Sequence, residues 1–179
     1  MKKLAMVCWI IISLYFCIGG ISNIMITKKF EEAEKLPLFK DSGLKDKNNN
    51  WFRNIAHLAA NEDYEKMASF YPMFKYFGET FCYILILMSF GILGTMLRIL
   101  IAITVGNEKL EIQQVYTLPV LAAILGLLVL VASDLLPEFK YKSGNDKLYY
   151  CVTLLAGLFT KQFLVWLENK FNSILLQTH

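Results

Sequence analysis

The sequence predicts an all-α, integral membrane protein: an N-terminal transmembrane helix followed by a bundle of helical hairpins. Three observations carry this. Of the 179 residues, 56% are hydrophobic and only 18% are charged, against roughly 45–50% apolar and about 25% charged in a soluble domain. Long charge-free runs recur along the chain. Nothing resembles a long flexible linker, which favours one compact unit.

The formal net charge of +3 is small. No Lys/Arg run is dense enough for the basic stripe of a nucleic-acid binder. The cysteines Cys8, Cys17, Cys82 and Cys151 all lie in apolar runs, and no two form a C-x-x-C. They read as small buried hydrophobes. With His57 and His179 as the only histidines, a metal site is not expected, nor is any cofactor.

The first element is "LAMVCWIIISLYFCIGGISNIMI", Leu4 to Ile26, 23 residues without a charge. At about 1.5 Å per residue it reaches roughly 35 Å, enough to cross a bilayer. A cleaved signal peptide is the rival. The apolar run is long for one, and no clear A-x-A-like site follows. Bulky Tyr15 and Phe16 before Cys17 argue against a lipoprotein site. Residues 1–27 therefore read as a retained membrane helix.

Residues 28–76 form a polar helical region with nine Lys/Arg and eight Asp/Glu. "KDSGLKDKNNN" is a loop by composition. Asn50 is placed to cap a helix, "WFRNIAHLAA". A second helix is expected from about Asn61, with Glu62 and Asp63 at its positive end, and Pro72 ends it. "FYPMFKYFGETF" then crowds six aromatic rings before an apolar run. Such rings suit a membrane–water boundary or a core between helices.

Residues 77–179 hold the remaining apolar helices. Thr80 to Leu97 is charge-free for 18 residues and Ile112 to Ser133 for 22. The link between them holds "GNEKLE", so the pair reads as a helical hairpin. "LYYCVTLLAGLFT" has 13 residues before Lys161, a length more typical of buried or re-entrant helices. "KQFLVWLENKFNSILL" closes the chain as an amphipathic helix. The lysine distribution favours a cytoplasmic 28–76 segment.

Arg98 interrupts "GILGTMLRILIAITV". Gly106 is eight residues on, about 12 Å along a helix. Either Arg98 anchors at the headgroups, or it faces a water-filled lumen or an acidic partner. The expected orientation is toward the interior of an assembly, with Glu79, Asp134 and Glu168 as possible charge partners. Gly91, Gly94 and Thr95 lie one turn earlier, and small residues at this spacing let helices approach closely. Lys161 repeats the pattern four residues after Gly157. Cationic positions multiplied around a ring would line a passage and set its ion selectivity.

Enzyme signatures are nearly absent: no G-x-G-x-x-G, G-K-S/T, G-x-S-x-G or H-E-x-x-H occurs. One candidate catalytic pair remains, Arg53 and His57 in "RNIAH". On one helix they would share a face at i and i+4. The pair is similar to that of HEPN ribonucleases, whose Arg and His have four to six residues between them rather than three. That resemblance implies RNA cleavage, and the shorter spacing departs from its pattern.

The N-terminal membrane helix, the small helical region with "RNIAH" and the apolar hairpins together resemble the small accessory membrane protein of type VI-B CRISPR systems. The resemblance covers the architecture of the whole chain. It implies a homo-oligomeric pore in the bacterial inner membrane, weakening that membrane when an RNA-guided, RNA-cutting effector detects phage RNA. The implied partners are further copies of the chain, the lipid bilayer, and the CRISPR effector or its RNA. Two other functions stand beside a pore without enzyme activity: a membrane-anchored ribonuclease using Arg53 and His57, and a non-conducting membrane scaffold for a cytoplasmic partner.

Overall fold

The computed structural model describes residues 2–36, 54–105, 112–135, 146–160, 162, 163, 165 and 169. Among them the chain is all-helical, without a strand. The helices are α1 (Lys2–Lys35), α2 (Ile55–Phe70), a 3-10 helix (Pro72–Tyr76), α3 (Glu79–Thr104), α4 (Ile112–Leu135) and α5 (Asp146–Leu158).

Two helices, α1 and α3, are long and apolar enough to cross a membrane. Within the described residues α4 and α5 contribute shorter apolar stretches, Val115–Val131 and Leu148–Leu158. The sequence counts Ile112 to Ser133 as a third full span, and α4 covers that run, from Ile112 to Leu135. The closing amphipathic segment lies almost wholly outside the described residues.

The ends of elements differ from the sequence reading. α1 does not stop near residue 27 but runs on to Lys35. "TKKFEEAEK" is rich in strong helix formers, so helix persists where the apolar run ends. α2 begins at Ile55, capped by Asn54 rather than Asn50, and continues through Asn61 as one helix. A mid-helix Asn costs only a fraction of a kcal/mol (about 0.7 at most), too little to break a helix begun by a good cap. Tyr71 closes α2 and Pro72 opens the 3-10 helix.

The chain divides into two compact units, Met1–Cys17 with Ile86–His179, and Ile18–Leu85. The first is a helical bundle. Its core joins Met6 of α1 to Ile92, Met96 and Ile99 of α3 and to Val115 and Ala123 of α4. Its described buried polar side chains are all hydroxyls: Ser13, Ser89, Thr95, Thr153 and Thr160. Ser13 donates to the Trp9 carbonyl at 2.7 Å and Thr153 to the Tyr149 carbonyl at 2.8 Å. These two hydroxyls are thus satisfied within their own helices, as an apolar interior requires.

The second unit is built on aromatic rings. Phe74 is fully buried, and its ring meets Tyr71 and Phe77 edge-on at 6.4 and 5.6 Å. Gly19 of α1 makes room for it, since a Cβ there would stand 2.6 Å from the Phe74 ring. Asn23, buried on the next turn of α1, donates to the Phe74 carbonyl at 2.5 Å. Farther along α1, the Asn54 carboxamide donates to the Ala33 carbonyl at 2.8 Å and accepts from the His57 amide at 2.8 Å. One asparagine thereby caps α2 and ties it to α1.

Candidate functional site

The small residues of the bundle meet where three helices touch backbone to backbone. A Cβ on Gly91 would run into the Ala122 carbonyl oxygen. One on Gly94 would strike the Leu154 carbonyl, and one on Gly157 the Gly91 carbonyl. On α4, a Cβ at Gly126 would stand 2.6 Å from the Leu87 carbonyl oxygen. Thr95 is fully buried and donates its hydroxyl to the Gly157 carbonyl at 3.0 Å. The Thr160 hydroxyl donates to the same oxygen at 2.7 Å. Beside this crossing Phe90 and Tyr150 stack at 5.2 Å. The structure therefore brings Gly91, Gly94, Thr95 and Gly157 together within one chain. The face they form is filled by α4 and α5.

The same contacts set the register of α3 against α4. Gly91 faces Ala122, and Leu87, four residues earlier, faces Gly126, four residues later. The two helices are antiparallel, the hairpin that the sequence predicts. Carrying this register seven residues on from Gly91 puts Arg98 level with Val115, in the first turn of α4.

Of the charge partners expected for Arg98, Glu79 opens α3 nineteen residues earlier, and Asp134 lies in the last turn of α4, nineteen residues from Val115. Glu168 and Lys161 lie outside the described residues. Arg98 itself is half-buried, and among the described residues it makes no hydrogen bond or ion pair. On the same stretch of helix Leu97, Leu100 and Ile101 are exposed.

Asn54 caps α2 with extended backbone angles, φ −160° and ψ 175°, and His57 lies in the first turn of that helix. Arg53 lies outside the described residues. The His57 ring packs edge-on against Phe30 at 5.2 Å, beside Tyr64 on the same Phe30 ring at 6.4 Å. Six residues past His57 on α2, Asp63 meets Lys29 at 2.6 Å. The Lys29 ammonium, through its hydrogen bond and its charge, holds the Asp63 carboxyl below the usual range. Both side chains remain well exposed, at 52% and 39%.

Sequence reasoning missed Gly19, Asn23, Asn54 and Gly126. Two of these carry a signal in hindsight. Asn23 is a lone amide in an apolar run, where a polar group needs a named partner. Gly126 follows Ala122 by four residues, the spacing of close helix contacts.

No family model, no curated protein and no solved structure matches the chain.

Proposed function

We propose that this chain is a multi-helix protein of the bacterial inner membrane whose copies assemble into a pore, with Arg98 at the pore mouth. The observation that carries the reading is Arg98 itself. It sits on an apolar helix long enough to span a bilayer, outside the packed core and with no hydrogen bond or ion pair among the described residues. A guanidinium keeps its charge in a protein, and in lipid it must find water or an anion. A water-filled lumen between copies supplies the water. Exposed apolar side chains support the membrane setting: Leu4 is 69% exposed, Ile11 59% and Met25 58% on α1. Apolar surface of this extent on one helix marks a lipid or protein contact.

Arg98 level with the start of α4 favours a ring at the mouth over one at the midplane. Such a ring would favour anions and impede cations. In the setting that the CRISPR resemblance implies, opening the pore depolarises the infected cell when a guided effector recognises phage RNA. No cofactor enters this reading. The deciding experiment reconstitutes the purified chain in liposomes and in planar bilayers, with its mass in detergent measured in parallel. A ring predicts discrete conductance and a mass of several copies. A chain that stays monomeric at every concentration and conducts nothing ends the proposal.

A further inference from the structure

The segment "FYPMFKYF", Phe70 to Phe77, sorts its side chains with a period of three. On one side Tyr71, Phe74 and Phe77 form an inner ladder, and Phe77 passes the contact on to Phe81 at 4.7 Å between ring centres. Phe70, Met73 and Tyr76 make an exposed outer ladder, at 75%, 49% and 82%. In the 3-10 helix i and i+3 eclipse, which puts Met73 and Tyr76 on one side of it, and Phe70 is the last residue of α2.

The turn is clamped. Phe74 sits over Gly19, and the Asn23 amide group donates to the Phe74 carbonyl at 2.5 Å and to the Phe77 carbonyl at 3.5 Å. The inner ladder thus fixes the turn while the outer one offers three large apolar side chains to the outside. Apolar groups held so firmly outward carry a cost in water, and they suit a medium that accepts them.

We propose that Phe70, Met73 and Tyr76 insert into the headgroup–acyl boundary of an anionic lipid leaflet, a surface anchor that fixes the depth of α3. Three observations select lipid as the occupant. The turn leads directly into α3, one of the two helices apolar and long enough to span. Phe81 on α3, itself 47% exposed, continues the ring contacts onto that helix. The exposed cations Lys66 and Lys75 flank the outer ladder, with the Lys75 ammonium 6.0 Å from the Tyr76 ring centre. Aromatic rings with polar tips beside lysines are the composition of a membrane–water boundary, and lysines near such a surface are drawn to anionic headgroups.

This inference rests on the membrane reading above, and one experiment separates their failures. The full chain, with Cys8, Cys17, Cys82 and Cys151 changed to Ala, receives one spin label at a time in nanodiscs of phosphatidylcholine and phosphatidylglycerol. The labelled variants are Ile11→Cys on α1, Glu62→Cys on α2, Met73→Cys and Tyr76→Cys. Relaxation by oxygen reports hydrocarbon, and relaxation by a water-soluble nickel chelate reports solvent. The expected result is oxygen dominance at residue 11, nickel dominance at residue 62, and intermediate depth at residues 73 and 76. In discs of phosphatidylcholine alone, or with Lys66→Glu and Lys75→Glu, the labels at 73 and 76 should shift toward the nickel side.

If residues 73 and 76 match residue 62 while residue 11 remains in hydrocarbon, the anchor is overturned and the membrane reading stands. If both relaxants are excluded at 73 and 76, a protein surface covers the turn, and the anchor is equally overturned. If residue 11 itself reports water, the membrane reading falls and takes the anchor with it.

Discussion

Thr95 donates its hydroxyl to the carbonyl oxygen of Gly157 at 3.0 Å, and this bond is possible because Gly91 and Gly94 let α5 lie against the backbone of α3. The glycines create the approach and the hydroxyl exploits it. The two contributions differ in size. A side-chain hydrogen bond between membrane helices averages only about 0.6 kcal/mol. Overpacking a tight contact costs about 1–3 kcal/mol, and here the obstacle is backbone, which yields least.

Gly94→Ala and Gly157→Ala should therefore lower the unfolding midpoint in detergent clearly more than Thr95→Val does. Gly78→Ala is the control, because a Cβ there meets nothing within 4 Å. Equal midpoints for Gly94→Ala and Gly78→Ala would show that α3 and α5 do not meet as described.

Asn54 serves two helices at once. Asn54→Ala removes the cap of α2, worth about 1 kcal/mol and up to about 2, and leaves the Ala33 carbonyl without its amide donor. Asn54→Asp keeps the acceptor for the His57 amide but loses the donor to Ala33. Amide exchange checks this directly. The His57 amide should lose protection in Asn54→Ala and keep most of it in Asn54→Asp.

Lys29 and Asp63 give the unit of residues 18–85 a pH dependence of known sign. The native Asp63 pKa is lowered by Lys29. Its stabilising contribution is therefore complete above the ordinary aspartate pKa and is lost as pH falls through the lowered native value. Both partners are well exposed, so the contribution is only about 0–1 kcal/mol and shrinks with salt. An NMR titration of the Asp63 carboxyl carbon should show its pKa rise toward the ordinary value in Lys29→Met. No rise would mean that the pair does not form in solution.

The all-helical architecture and the α3–α4 hairpin are legible in the sequence because they rest on composition and on long apolar runs. The ends of helices are less so. "TKKFEEAEK" changes polarity without changing helix propensity, so a boundary drawn on hydropathy falls inside α1. "NNNWFRN" offers several cap residues, and only the contact of Asn54 with Ala33 selects one, a tertiary fact. The small-residue cluster of Gly91, Gly94, Thr95 and Gly157 is visible as a pattern. Whether it meets another chain or its own helices depends on where α4 and α5 fold back, which local sequence does not encode.

Arg98 is the residue on which the pore reading turns. It follows the Gly94–Thr95 contact by one turn, yet that face is already taken by the chain's own helices. On the pore reading, its level with Val115 puts the guanidinium either among headgroups or in water at a pore mouth. Arg98→Leu removes a polar group from an apolar run, so insertion and the bundle's unfolding midpoint should be unchanged in either case. Conductance separates the two. At a pore mouth, Arg98→Glu should reverse the preference between anions and cations, Arg98→Lys should preserve it, and Arg98→Leu should weaken it. Reversal potentials measured across a potassium chloride gradient read all three. Identical reversal potentials in a conducting wild type and in Arg98→Glu would make Arg98 a headgroup anchor, and the ring would have to be sought on another face of the bundle.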